Sequence, residues 1–209
     1  MKLVFLGDSI TAMGREQAAE DTPAALGAGF VFLIAADLQS RKPSGYRVLN
    51  RGVSGEYIYE TYARLTKDVF LEKPDVLTIL VGTHDLPYSA NLYATDEKRF
   101  ERIYRLMLEE IRECLPQTRI ILMTPFSAHY PDEPILYARM KRYPWYAELV
   151  QKLAEEYGCE AIILQSLLDG PIKQFGRAAI SPDGTNPSPA ASRIIANEWL
   201  RVFDSKAEN

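Results

Sequence analysis

Five short apolar runs punctuate this chain, and their spacing constrains its fold more than any other feature. They are KLVFL (2–6), YRVL (46–49), VLTILV (76–81), IILM (120–123) and AIIL (161–164). None alternates strictly between apolar and polar residues, which is the pattern of strands covered on both faces. Helical stretches fill the gaps. Val31, Ile34, Ala35 and Leu38 share one face, as do Ile58, Tyr62, Leu65 and Val69. The clearest stripe is Phe100, Ile103, Tyr104, Met107, Leu108 and Ile111, which Pro116 brings to a stop. Trp145, Leu149, Val150, Leu153 and Tyr157 repeat the spacing, with Gly158 as an expected left-handed cap. A last helix should begin near Pro187 and Pro189 and bury Ile194, Ile195, Trp199, Val202 and Phe203, ahead of a polar tail expected to fray over 204–209.

Strand and helix alternating in this way make an α/β fold, a parallel sheet with helices on both sides in a three-layer α/β/α sandwich. Right-handed crossovers then favour a flavodoxin-like strand order, 2-1-3-4-5, with ligands expected at the carboxyl edge where strands 1 and 3 part. The segments GDSIT (7–11), NRGVSG (50–55), GTHD (82–85) and TPFSAHYPDEP (124–134) all follow strands, so they should gather on that edge. Loops 12–27 and 124–143 are expected to wall the site. A length of 209 residues, 47% of them hydrophobic, suits one domain spanning 1–209 with a sizeable core.

The formal net charge of -4 provides no basic footprint for nucleic acid. No apolar run is long enough to span a bilayer, and Met1 runs almost directly into the first strand with no leader pattern, so no membrane association is expected and the cytoplasm is the expected compartment. Cys114 and Cys159 stand far apart without ligand spacing and read as buried small apolar residues. His84 and His129 lack ligand spacing too, so neither a metal nor any other cofactor is expected.

Within the polar segments, Ser9 stands out, because a buried strand ending in Gly-Asp-Ser delivers a serine to a turn. A serine hydroxyl needs a base, a group that orients the base, and donors for a developing oxyanion. Asp8, Asp85 and Asn50 more readily bond backbone N–H groups and shape their turns. The tyrosines of EYIYETY (56–62) could line a sugar or aryl pocket, or simply pack half-buried.

Taken in order, GDSIT, NRGVSG, the G-x-x-D of GTHD and DGTNPS (183–188) resemble the four blocks of the SGNH, or GDSL-type, esterases, and ILMTPF (121–126) is similar to the acetylxylan esterase branch. The resemblance covers nearly the whole chain. It implies that Ser9 is the nucleophile and one oxyanion donor through its backbone N–H, that Gly55 N–H is a second donor, and that Asp183 orients the base. Taken alone, Asp183 reads as an ordinary turn residue. Two positions depart from the family pattern. The third block's oxyanion asparagine is His84 here, and the fourth block's basic histidine is Asn186. An amide has no basic lone pair near neutral pH. His84 could donate to the oxyanion, take the serine proton from the opposite side, or merely fill space. His129 reads as a surface-loop histidine.

Two function classes follow. One is a serine esterase that cleaves small acyl esters, with acetyl the expected acyl group and a carbohydrate the expected alcohol, at impaired rate. The other is a non-hydrolytic binder of acylated sugars on the same scaffold. The exchange of residue types at 84 and 186 fits either drift or deliberate introduction, and a homo-oligomer is compatible with both classes.

Overall fold

The computed structural model describes residues 1–85, 96–128 and 141–205. Five strands, β1 (Lys2–Gly7), β2 (Arg47–Gly52), β3 (Val76–Leu80), β4 (Arg119–Met123) and β5 (Glu160–Ile162), form one parallel sheet in the order β2-β1-β3-β4-β5. This is the expected flavodoxin-like order. Between the strands lie α1 (Ser9–Ala12), α2 (Phe30–Arg41), α3 (Ile58–Ala63), α4 (Glu97–Cys114), α5 (Tyr143–Tyr157), α6 (Leu164–Phe175), α7 (Arg177–Ile180) and α8 (Pro189–Asp204).

Successive strand residues point to opposite faces, so each strand feeds two cores. Leu3 and Phe5 pack with Phe30, Ile34 and Trp199 in one layer, while Val4 and Leu6 pack with Phe100, Met107 and Leu153 in the other. This is why the apolar runs do not alternate. Each such fully buried side chain stabilises the fold by about 1.5–3 kcal/mol relative to exposure. One polar bond crosses into the first layer, where Trp199 Nε1 donates to Thr78 Oγ1 at 2.9 Å, both residues being buried.

The helix signals behave as the sequence indicates. Asp96 caps α4 by accepting from Arg99 N at 2.9 Å, and α4 ends at Cys114, two residues short of Pro116. Gly158 caps α5 at φ 63, ψ 43. Two expectations need correction. The run at 161–164 is not all strand, because β5 stops at Ile162 and Leu164 already begins α6. The cysteines are not buried: Cys114 is exposed, one turn beyond the last buried residue of the α4 stripe, and Cys159 is half-buried with its sulfur accepting from Arg112 Nη2 at 3.3 Å. The last helix runs to Asp204, and residues 206–209 of the expected frayed tail lie outside the described residues.

Candidate active site

The carboxyl end of β1 is built for close approach. Gly7 pairs with Gly52 on one side and Leu80 on the other. A Cβ on Gly7 would lie 2.3 Å from Thr11 Oγ1 and 2.4 Å from Leu80 O, and one on Gly52 would lie 2.3 Å from Ala12 N. The two glycines therefore let α1 sit directly on the strand ends, with Ser9 as its first residue. Arg64 Nη2 donates to Gly7 O at 3.2 Å and Arg15 Nε to Gly52 O at 2.5 Å, which fixes the same two carbonyls from outside. Asn50 secures the far side: its Oδ1 accepts from Gly52 N at 2.9 Å, and its Nδ2 donates to Thr11 O and Leu26 O at 2.8 and 2.9 Å.

Asp8 caps α1. Its carboxylate is fully buried and accepts from Ile10 N at 3.1 Å and from Thr83 N at 3.2 Å, which joins the turn that carries Ser9 to the segment after β3. Burial pushes its pKa above the ordinary aspartate value, against the opposing pull of Thr83, His84 and Ile10. The helix lasts one turn, because Met13 takes the left-handed conformation at φ 37, ψ 52. The Ser9 N–H thus belongs to a first helical turn, where backbone donors have no acceptor within the helix.

Gly55 stands at φ +87, a conformation that favours glycine, and a Cβ there would meet nothing within 4 Å. After β3, Asp85 is fully buried and accepts from Ile58 N at 3.0 Å at the start of α3. His84 precedes Asp85, its ring 6.3 Å from that of Tyr57 in an edge-on arrangement, and its Nε2 is a buried atom without a hydrogen-bond partner among the described residues. Tyr57 and Tyr59 stack on each other at 5.5 Å, both half-buried.

The turn before α8 carries the remaining pair. Asp183 Oδ1 accepts from Thr185 N at 2.9 Å and Asn186 N at 2.7 Å, and Oδ2 accepts from Asn186 Nδ2 at 2.8 Å. Burial raises the Asp183 carboxyl, but these three bonds outweigh it and hold the pKa below the ordinary aspartate value. Asp183 is therefore both a turn-former and the anchor of the Asn186 side chain. Ser181 Oγ donates to Asn186 O at 2.8 Å, and Ala128 N donates to Gly184 O at 2.8 Å, so the turn is tied to the segment after β4.

Ser9 and Asn186 line one open cavity of about 250 Å³ together with Met13, Gly14 and Ser54. Larger hollows of about 350 and 580 Å³ lie at the β2 edge and at the amino end of the sheet, away from Ser9. We place the site at the smaller one because it alone of these holds the nucleophile candidate. Ser9, Asp183 and Asn186 are thus brought together, with Gly55 next in sequence to the lining residue Ser54. His84 does not line the cavity. Asn186 Oδ1 and His84 Nε2 have no hydrogen-bond partner among the described residues, so neither is bonded to Ser9. His129 and most of the 124–143 loop lie outside the described residues. Met13, Gly14 and Ser54, which share the cavity's lining, fall within the segments 12–27 and 50–55 expected at the site, although no motif marks them individually. Among the described residues no helix is long and apolar enough to cross a membrane, and no cluster of His, Cys, Asp or Glu could hold a metal ion.

Ser9 stands at the carboxyl edge of the parallel sheet, where the winding reverses between β1 and β3, the place where α/β folds of this order bind their ligands. Comparison with known proteins defines the class. The chain belongs to the GDSL-like lipase/acylhydrolase family, whose model matches residues 5–194, and with it to the carboxylic ester hydrolases. It is 32% identical over 207 residues to an acetylxylan esterase of Geobacillus stearothermophilus, covering 96% of this chain and 92% of that one. The crystal structure of Axe2, an acetylxylan esterase from the same organism, superposes with a TM-score of 0.85 at 31% identity, covering 96% and 92% of the two chains. A structure from Parabacteroides merdae, assigned as a GDSL-like lipase, gives a TM-score of 0.81 at 29% identity, covering 96% and 94%. Axe2 variants with a serine, an aspartate or a histidine changed to alanine are described as catalytic mutants, the last two three positions apart.

Proposed function

We propose that this chain is an SGNH-type serine esterase for small acyl esters, acetyl groups on carbohydrates above all, and that Asn186 holds its turnover low. The observation that carries this reading is the cavity shared by Ser9 and Asn186, with Asn186 bonded to Asp183. In the reaction, Ser9 Oγ attacks the ester carbonyl while Ser9 N–H and Gly55 N–H receive the oxyanion, and water then releases the acyl group from Ser9. The volume of about 250 Å³ is below the usual range for drug-sized ligands, which suits an acetyl group. The spacing of Asp183 and Asn186 equals that of the aspartate and histidine changed in the catalytic mutants of Axe2. His84 occupies the position of the family's oxyanion asparagine. Its Nε2 is buried with no hydrogen-bond partner among the described residues, and its ring lies edge-on to Tyr57.

Loss of the histidine from a serine triad can cost about 10⁶-fold in turnover. Asn186→His, alone or with His84→Asn, should therefore raise hydrolysis of an acetyl ester by on the order of 10³-fold or more. An unchanged rate in the folded double variant overturns the proposal.

Asn186 Oδ1, which has no hydrogen-bond partner among the described residues, favours a second reading, an acyl-sugar binder that does not turn over. That protein would bind acetylated xylooligosaccharide in calorimetry and leave Ser9 unmodified by activated esters. Stoichiometric acylation of Ser9, seen by mass spectrometry, would exclude it.

A further inference from the structure

Gly55 has nothing of its own to hold it. It has no side chain, a Cβ there would meet nothing within 4 Å, and its N–H donates to no group among the described residues. Its neighbours are held instead, and both lead to one atom. Val53 N donates to Gly7 O at 2.9 Å. Glu56, the residue after Gly55, pairs with Arg64 Nε at 2.7 Å, and Arg64 Nη2 donates to the same Gly7 O at 3.2 Å. Gly7 ends β1, two residues before Ser9. The turn 53–56 is therefore fixed from both sides against the strand end that delivers Ser9. Arg64 is itself anchored, as the residue that closes α3 and through Nη1 on Asp68 four residues on. Thr61 Oγ1 gives Glu56 a second donor at 3.3 Å. The side chains of Glu56, Arg64 and Asp68 are 15%, 15% and 10% exposed, so these pairs escape most of the screening that weakens surface ion pairs. Three nitrogens in fixed directions on three acceptors is a guanidinium geometry, which an ammonium on a flexible stem does not reproduce.

We propose that Arg64, acting through Glu56, is a positioning residue that holds the Gly55 N–H where the oxyanion forms beside Ser9. The proposal rests on the esterase reading. Arg64 touches neither ester nor nucleophile in this role, and the bonds made and broken are those of acyl transfer to Ser9 and on to water. What it supplies is a donor whose direction is set before charge develops, the condition under which such a donor stabilises a transition state. A glycine leaves the oxygen room to approach the N–H, and a turn without side-chain packing of its own needs its register fixed from outside. Loss of the clamp should therefore appear in kcat and not in KM, because the donor acts on charge that the bound ester does not yet carry.

The test is made in the Asn186→His chain, whose turnover supplies the signal, with phenyl acetate as substrate. Arg64→Lys should lower kcat by about 10–100-fold with KM within about twofold. Glu56→Ala should lower kcat likewise, and Glu56→Gln, which keeps an oxygen for Arg64 Nε, should recover most of the loss. Glu56→Ala added to Arg64→Lys should cost nothing further, since both break the same link. Asp68→Asn loosens Arg64 on its outer side, leaving the bonds to Glu56 and Gly7, and should lower the melting temperature while kcat is kept. Without reference to activity, amide hydrogen exchange over 53–57 should quicken in Arg64→Lys of the parent chain while that of β1 and β3 holds. Unaltered exchange over 53–57, a kcat loss in Asp68→Asn equal to that in Arg64→Lys, or losses that add in the double variant overturn the proposal. If Arg64→Lys does not fold, the comparison of Glu56→Ala with Glu56→Gln decides, and equal rates overturn it. Where Asn186→His turns over and Arg64→Lys keeps its kcat, the proposal alone falls and the esterase reading stands. A folded Asn186→His that neither turns over nor acylates Ser9 removes that reading and the proposal with it.

Discussion

Asp8 and Asp183 flank the same cavity in sequence terms and are held in opposite ways. Asp8 is fully buried, bonded to the N–H groups of Ile10 and Thr83, and its pKa is raised because burial opposes its charge. Asp183 is exposed, bonded to two N–H groups of its own turn and to the Asn186 amide, and its pKa is lowered because those bonds outweigh what burial it has. The first carboxylate is placed where the fold needs it, joining β1 to β3 at some electrostatic cost. The second is placed to orient a neighbouring side chain. Changes near Asp8 should therefore act chiefly on stability, and changes near Asp183 chiefly on chemistry.

The largest test of that contrast is the dependence of any gained activity on Ser9. Adding Ser9→Ala to Asn186→His should remove on the order of 10³-fold or more of its ester hydrolysis, while the melting temperatures of the two remain alike. Next is Asp8→Ala, which takes a common acceptor from two buried N–H groups and should lower unfolding free energy by about 2 kcal/mol in denaturant titration. A loss as small as that of Asp183→Ala would erase the distinction. Gly52→Ala sets a methyl group against the α1 backbone and should cost about 1–3 kcal/mol, with lowered activity as Ser9 is displaced.

The smallest effect is the most discriminating, because its sign differs between the two residues. Asp183 is lowered in the folded state, so its stabilisation is present above the ordinary value of 3.8 and is lost as pH falls through the folded value. Asp8 is raised, so the folded state binds the extra proton above 3.8, and stability falls as pH rises through its folded value. Relative to Asp183→Asn, the parent chain should thus lose its advantage on acidification. Relative to Asp8→Asn, it should gain. Chemical denaturation across the acid range reads both slopes.

The sheet was legible in the sequence because two-sided burial forces unbroken apolar runs, and β1, β3 and β4 lie within a residue of their runs, whereas β2 continues through Asn50, Arg51 and Gly52, which the sequence pattern assigns to the segment after the strand. α6 was missed although Leu164, Leu167, Leu168 and Ile172 carry helical spacing. Gly170 and Pro171 interrupt it, and Pro171 gives up a backbone donor inside the helix. Ser9, Asp183 and Asn186 were proposed for the site from their blocks, and the fold sets Ser9 and Asn186 on one cavity. The clasp between the last two, and the placing of Met13 and Ser54 against Ser9, depend on a left-handed residue and on loop geometry that no periodicity encodes. His84 shows the limit most directly. Its block predicts proximity to the serine, whereas the direction of its ring is set by packing against Tyr57.

The chain has two tryptophans, and the sheet separates them. Trp199 lies in the layer of α2 and α8, with its indole N–H on Thr78, and Trp145 lies half-buried in the opposite layer against Phe100. Each face of the molecule thus carries its own intrinsic fluorophore. With one tryptophan at a time changed to phenylalanine, emission from the other would report the loosening of its layer alone, and a stopped-flow trace would show whether the two faces of the sheet come apart together or in turn.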